Sequence, residues 1–312
     1  MRILFGLNNT LPPEEYSVIT LGAFDGIHRG HQELLRRVET IARERGGRGI
    51  LLSFEPHPQR VIAPGTAPPL LTPREEKLVL LEAAGLDTLV ILPFNREFSQ
   101  MEAEDFVRDI LVGALGVRFL VLGHDHAFGR GRRGRPELLR KMAQELGFDL
   151  EVVGAVAEDG EPITSTLIRQ VLAEGDVERA GHLLGRPYSL KGLVVKGDKR
   201  GHTLGYPTAN LAIPARDKCI PGNGVYAVWT RVRGLDYRGA CSIGTRPTFG
   251  SDERTVEIHL IDFDSEIYGE PIEVLFRTKL REEKEFEGPE VLIEQIGKDV
   301  NEVKRILLQE EI

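Results

Sequence analysis

The 312-residue chain is 41% hydrophobic and 28% charged, enough length and apolar material for a core in each of two domains. A formal net charge of −8 speaks against general nucleic-acid binding, and two cysteines, Cys219 and Cys241, are too few for a disulfide framework or a zinc site and are expected as buried thiols. No apolar run reaches the length of a bilayer and MRILFGLNNTLPPEEYS lacks the core and cleavage site of a signal peptide, so the expected setting is cytoplasmic, with no membrane partner.

In the first half, apolar runs predict strands over 18–21, 50–54, 88–92, 119–122 and 150–156. Between them, apolar residues spaced three and four apart predict helices over 30–45, 73–84, 103–115 and 136–146. Thr72-Pro73-Arg74-Glu75 reads as a helix start, with Thr72 as N-cap. This alternation predicts a Rossmann-like α/β domain over 1–186, a parallel sheet with helices on both faces and ligands at the carboxyl ends of its strands. From 187 the rhythm changes to runs rich in β-branched and aromatic residues, 189–195, 225–232, 238–243, 256–263 and 272–279. They predict a small antiparallel barrel or sandwich over 187–312. A C-terminal helix over about 289–308 closes it, with Val291, Leu292, Ile296, Val300, Val303, Ile306 and Leu307 on one side.

The first strand ends in LGAFDGIHRGHQEL, residues 21–34, where Gly22, Gly26 and Gly30 surround His28 and His31. Three glycines imply a close backbone approach, and a helix starting there can aim N–H groups at an anion. Imidazole can donate a hydrogen bond to developing charge without carrying a permanent charge. The alternative is a plain glycine turn with two surface histidines. Phe54-Glu55-Pro56-His57-Pro58 places another histidine at a carboxyl end. The loop after the fourth strand carries Asp125, His126 and four arginines, 130, 132, 133 and 135, either a ligand edge or a solvated face. Ser165, Thr166 and Arg169 open a further helix, as phosphate ligands or as ordinary caps. Histidines, hydroxyls and an arginine at strand–helix junctions fit nucleotidyl transfer.

GAFDGIHRGHQELL, FEPHP and ITSTLIR resemble the nucleotidyltransferase histidine motif as it stands in the adenylyltransferase half of the prokaryotic bifunctional riboflavin kinase/FAD synthetase family. The resemblance implies that His28 and His31 bind ATP phosphates and steady the transition state as FMN phosphate attacks the α-phosphorus. It also puts Gly22, Phe24, Asp25, Gly26 and Gly30 around ATP, and Ser165, Thr166 and Arg169 on the triphosphate or leaving pyrophosphate. His57 and Asp125 fall on the flavin-phosphate side. His126 stands where the family commonly has an aromatic residue.

In the second half, Lys196 to Leu211, KGDKRGHTLGYPTANL, joins a basic glycine-rich loop to a Pro-Thr-Ala-Asn tetrad. Its N–H groups and cations could cradle phosphates, and the Thr208 hydroxyl suits a hard cation, although a β-turn with a buried Asn reads equally well. The Walker ending is absent. Strand alternation puts Glu257 and His259 on one face, opposite Val256, Ile258 and Leu260. A carboxylate there could take the proton of an alcohol during phosphoryl transfer, or be an ordinary exposed glutamate. GYPTANL, GVYAV, SIGTRPTFG, TVEIHLIDFDSEIYGE and LREEKEF are similar to riboflavin kinase along the whole half. That similarity implies Gly197, Lys199, Gly201, His202, Pro207, Thr208 and Asn210 at ATP, with Thr208 and Asn210 at Mg²⁺. It further implies Glu257 as general base and Arg281, Lys284 and Phe286 in a mobile flavin-side loop. His202 replaces a frequent arginine.

The expected activities are riboflavin + ATP → FMN + ADP and FMN + ATP → FAD + pyrophosphate, both with Mg²⁺. Expected partners are ATP, riboflavin, FMN and FAD, and a homo-oligomer is compatible with this. Two alternatives remain open at this point: transfer to pantetheine phosphate or a pyridine mononucleotide, and a non-catalytic flavin-binding regulator.

Overall fold

Strands buried on both faces are largely apolar, and the runs over 18–21, 50–54, 88–92 and 119–122 form such strands, while the run over 150–156 forms a less buried one. In the computed structural model, which describes residues 1–7, 16–197, 201, 204–248 and 251–308, they build a parallel sheet of β1 (Arg2–Phe5), β2 (Ser17–Leu21), β3 (Arg48–Glu55), β4 (Thr88–Pro93), β5 (Val117–Gly123) and β6 (Asp149–Val153). Alternate residues serve opposite faces. Ile19, Leu21, Ile50 and Leu52 pack with Phe106, Ile110 and Met142, while Leu51 and Leu89 pack with Leu35 and Leu81. The helices behind these contacts are α1 (Arg29–Glu44), α3 (Arg74–Ala83) and α5 (Pro136–Leu146), with the winding over Phe106–Ala114; α2 (Pro58–Ile62) buries no residue, and α4 (Ala103–Asp105) is a single turn.

The sheet order is β1-β4-β3-β2-β5-β6. The chain therefore leaves β2 toward β3 and β4, then returns to lay β5 along the other side of β2. Such a reversal opens a crevice at the carboxyl ends of the two strands, here after Leu21 and Gly123.

Three local expectations differ from the structure. The helix expected over 103–115 is one α-helical turn, α4, running into a π-helix at Phe106–Ala114. Leu115 N–H bonds Ile110 C=O, and the wider winding holds Phe106, Ile110 and Leu115, four and five residues apart, against one core. Thr72 does not cap α3, because its hydroxyl is engaged by Asp25 and Gly26. The run over 150–156 stops as a strand at Val153.

A hairpin, β7 (Ala157–Glu158) and β8 (Glu161–Pro162), precedes α6 (Ser165–Glu174) and α7 (Val177–Leu184). The chain forms two compact units, Met1–Ser165 and Thr166–Ile312. Most of α6 and all of α7 go with the second, because Gly222 N–H bonds Leu172 C=O at 2.7 Å and α7 packs on a barrel strand. That barrel is closed and antiparallel, ordered β10-β13-β12-β11-β14-β9. Its strands are β9 (Ser189–Val195), β10 (Ala209–Ala212), β11 (Gly224–Val232), β12 (Leu235–Thr248), β13 (Ser251–Leu260) and β14 (Pro271–Arg281). It is a barrel rather than a sandwich.

The last helix, α8 (Pro289–Leu307), rests Val303 and Leu307 on Ala227 and Ile261. Only this end is seated as expected, since Val291 is 53% exposed. Both cysteines are buried and free, as expected. Among the described residues no helix is long and apolar enough to cross a membrane.

Candidate functional site

The segment after β2 is held by bonds at almost every residue. Gly22 N–H donates to Leu52 C=O, Lys77 Nζ to Ala23 C=O at 2.7 Å, and Gln32 Nε2 to Ile27 C=O at 2.8 Å. The Asp25 carboxylate, 2% exposed, accepts from Leu71 N–H, Thr72 N–H and the Thr72 hydroxyl, at 3.0, 2.9 and 3.1 Å. Thr72 Oγ1 in turn accepts from Gly26 N–H at 2.8 Å, and Ser165 Oγ donates to Asp25 C=O at 2.8 Å. Phe24 and Ile27 sit at φ 48° and 42°, a strained region for side-chain-bearing residues, and burial of both side chains offsets the strain. The result is a loop tied along its length to the strands and helices around it.

Asp25 thus serves the loop's shape through Leu71 and Thr72. Asp25→Ala is expected to destabilise the Met1–Ser165 unit by ~2–4 kcal/mol, because buried N–H groups lose a charged acceptor. The fall is read from thermal melting, and an unchanged midpoint would mean the loop stands without this clamp.

The loop delivers two imidazoles. His28 is the N-cap of α1, its Nδ1 accepting from His31 N–H at 3.4 Å. A Cβ on Gly30 would lie 3.2 Å from the His28 ring, so the glycine makes room for it. His28 and His31 stack at 3.7 Å between centroids, and Phe24 stacks on His31 at 4.4 Å. Burial first, then the charges of His28, Lys77 and His126, hold His31 well below the usual imidazole range, so it is neutral at pH 7. Its Nδ1 is buried without a hydrogen-bond partner.

Across the crevice, the stretch after β5 brings His126 to Gly22, where a Cβ would lie 3.8 Å from His126 Cε1. Burial, with Arg132 adding to it and Asp125 opposing, lowers His126 to about 4. Asp125 itself is exposed, beside His124 Nδ1 at 4.0 Å. His57 caps α2 through Gln59 N–H. Two arginines of the basic loop are balanced internally: Arg130 and Arg133 reach Glu102 at 3.2 and 3.4 Å. Thr166 and Arg169 lie on α6, one and four residues after Ser165.

Sequence reasoning read Thr72 only as a helix cap and missed Lys77, which carries no local motif. It also missed the aromatic group of Phe54, Phe94, Phe98, Phe106 and Phe128, whose rings meet at 4.9–6.4 Å. A signal existed, since Phe54 and Phe94 stand at carboxyl ends of predicted strands.

The second site lies on the barrel. Val256, Ile258 and Leu260 are buried, leaving Glu257 and His259 half-buried on the other face of β13, as expected. Antiparallel register sets Asn210 and Ser242 opposite Glu257, so the three side chains share that face. Thr208 Oγ1 donates to Glu257 Oε2 at 3.2 Å. His259 Nδ1 donates to Pro207 C=O at 2.8 Å and fixes the approach to the tetrad. Gly197 must be glycine here, because a Cβ would fall 2.3 Å from Asn210 Nδ2, and Gly201 likewise clears Tyr206 C=O. Burial, then the Glu257 charge, pushes the Cys241 thiol up and keeps it unreactive.

Arg281 is the last residue of β14 rather than a loop residue. Its guanidinium is clamped to Asp299 of α8 at 2.8 and 3.1 Å and lies over the Phe286 ring at 5.6 Å. Lys284 is exposed and Phe286 half-buried in the irregular stretch that follows. Lys199 and His202 lie outside the described residues.

Comparison with known proteins matches an FAD synthetase family model to residues 11–167 and a riboflavin kinase family model to residues 184–307. The bifunctional riboflavin kinase/FMN adenylyltransferase of Escherichia coli (strain K12) is 40% identical over 303 residues, 96% of each chain. That of Bacillus subtilis (strain 168) is 37% identical over 295 residues, 93% of this chain and 92% of the relative. A crystal structure from Streptococcus pneumoniae, described as a macrolide-efflux protein, is similar with a TM-score of 0.88 at 30% identity, covering 97% of this chain and 99% of that one.

Proposed function

The chain belongs to the bacterial bifunctional riboflavin kinase/FMN adenylyltransferase family, and from that premise we propose how its residues divide the two reactions. The protein phosphorylates riboflavin with ATP to FMN and then joins AMP from a second ATP to FMN, giving FAD and pyrophosphate. Residues 1–186 carry the adenylyl transfer and residues 187–312 the phosphorylation.

In the kinase half, Glu257 takes the proton of the riboflavin 5′-hydroxyl as its oxygen attacks the γ-phosphorus of ATP and ADP leaves. The Thr208 hydroxyl holds the carboxylate in place. Thr208 and Asn210 are hard oxygen donors beside a carboxylate, a set that fits Mg²⁺, which takes few protein ligands and keeps phosphate oxygens and waters. Mg²⁺ supplies charge neutralisation on the phosphates. Gly197, Gly201 and Pro207 shape the loop around ATP. Lys284 and Phe286 face the flavin, and Arg281 positions them through its stack on Phe286.

In the adenylyltransferase half, an FMN phosphate oxygen forms a bond to the α-phosphorus as the bond to the bridging oxygen breaks and its electron pair leaves with pyrophosphate. His28 and His31 donate hydrogen bonds to the charge that builds on the phosphates, worth most in a site that excludes water. Ser165, bonded to Asp25 of the same unit, holds the triphosphate, and His57 and Asp125 the FMN side.

The observation that carries this reading is the Thr208–Glu257 pair on the barrel of a chain that also holds the stacked His28–His31 pair after β2. Transfer to pantetheine phosphate or a pyridine mononucleotide would leave the Thr208–Glu257 pair unused, and a non-catalytic regulator would leave both sites unused. Purified protein given riboflavin, excess ATP and Mg²⁺ is expected to show FMN rising and then giving way to FAD by chromatography. A parallel reaction from FMN should yield FAD directly, and absence of FAD from both would remove the adenylyltransferase assignment.

A further inference from the structure

Among the described residues, two buried ring nitrogens without a hydrogen-bond partner, His31 Nδ1 and His126 Nε2, belong to imidazoles of one crevice. Phe24 links them: its ring stacks on His31 at 4.4 Å and lies 3.2 Å from the Cβ position of Gly22, which is itself 3.8 Å from His126 Cε1. His126 follows β5 and His31 follows β2, so the two rings approach from opposite sides of the point where the strand order reverses.

A ring whose only task was to stack would be better apolar, because a buried nitrogen without a partner is costly. His126 has a tilted ring contact available, with Phe128 at 5.9 Å, and still keeps an unsatisfied polar atom. Burial acts on it first, then the exposed Asp125 carboxylate in opposition and Arg132, and its own charge would in turn bear on His31. A neutral imidazole here can donate one N–H to an anion at no charge cost, beside a guanidinium that favours the anion.

Resting on the adenylyltransferase reading, we propose that His126 is a third imidazole of that crevice and donates an Nε2–H hydrogen bond to a phosphate oxygen of the reactants. Two phosphates are available there, the polyphosphate of the nucleotide and the monophosphate of FMN. The chemistry is shared, and separate titrations tell them apart.

The full-length protein, His126→Phe and His126→Gln would each be titrated calorimetrically with pyrophosphate and with FMN. The phenylalanine keeps the ring and removes the donor, whereas glutamine keeps an N–H. His126→Phe is expected to bind one of the two ligands about tenfold more weakly, the loss of one hydrogen bond. His126→Gln should stay within about threefold of the parent for that ligand, and both variants should phosphorylate riboflavin normally. Equal binding of both ligands by parent and His126→Phe, at unchanged melting temperature, would overturn the proposal.

Should the phenylalanine variant not fold, ¹⁵N spectra of the parent's imidazoles decide. The His126 Nε2 resonance should move when one of the two ligands saturates, and a resonance indifferent to both rejects the assignment. A parent that binds neither ligand and makes no FAD would instead strike the adenylyltransferase reading itself.

Discussion

Glu257→Gln loses riboflavin phosphorylation by a factor on the order of 10²–10⁴, the range for removing a positioned general base, while FAD formation from supplied FMN stays at the parent rate. The substitution is close to isosteric. A glutamine oxygen still accepts the Thr208 hydroxyl, which lies 3.2 Å away, and the backbone pairing of β13 with β10 and β12 does not involve the side chain. Glu257 is half-buried, so melting should barely move. What disappears is the carboxylate oxygen that takes the proton of the riboflavin hydroxyl, which places the loss in kcat rather than in KM for ATP. Loss of both activities with intact melting would mean that the reactions are not divided between residues 1–186 and 187–312.

Changing His28 and His31 together to Ala gives the mirror result: FAD formation falls by 10²–10³ or more, roughly the loss for each donor aimed at developing charge, and FMN still accumulates from riboflavin. Here the fold needs a control. His28 is also the N-cap of α1, so alanine removes an acceptor worth ~1 kcal/mol. His28→Asn keeps a capping oxygen without the imidazole and should restore the melting temperature but not the activity. His31→Ala alone leaves the cap and forfeits the ring stacks at 3.7 and 4.4 Å, a modest stability change. The two losses should not add, because both rings serve one set of phosphates. A double variant that still makes FAD would remove these histidines from the mechanism.

The chain's own pattern determined the elements and the placing of the motifs on them. Apolar runs at 18–21 and 88–92 became β2 and β4 within one residue, and the helix over 136–146 became α5 with the same ends. Strands buried on both faces admit little but apolar residues, and helix faces repeat at a fixed period, so both are written in neighbouring residues. The glycines and histidines of 22–31 and the alternation around Glu257 were legible for the same reason.

Only the tertiary structure decided what those residues touch. Thr72 reads as a cap until the Asp25 carboxylate, 47 residues away, takes its hydroxyl. His126 and Gly22 meet because β5 returns to the open side of β2, and no local pattern records that return. Arg281 leaves the loop assigned to it because Asp299 on α8 offers a bidentate partner, and Val291 stays exposed because α8 seats only its far end on the barrel. Local propensity acts over a few residues. A hydrogen bond or ion pair between distant segments forms only once packing brings them together, and its partners leave no mark on the sequence around them.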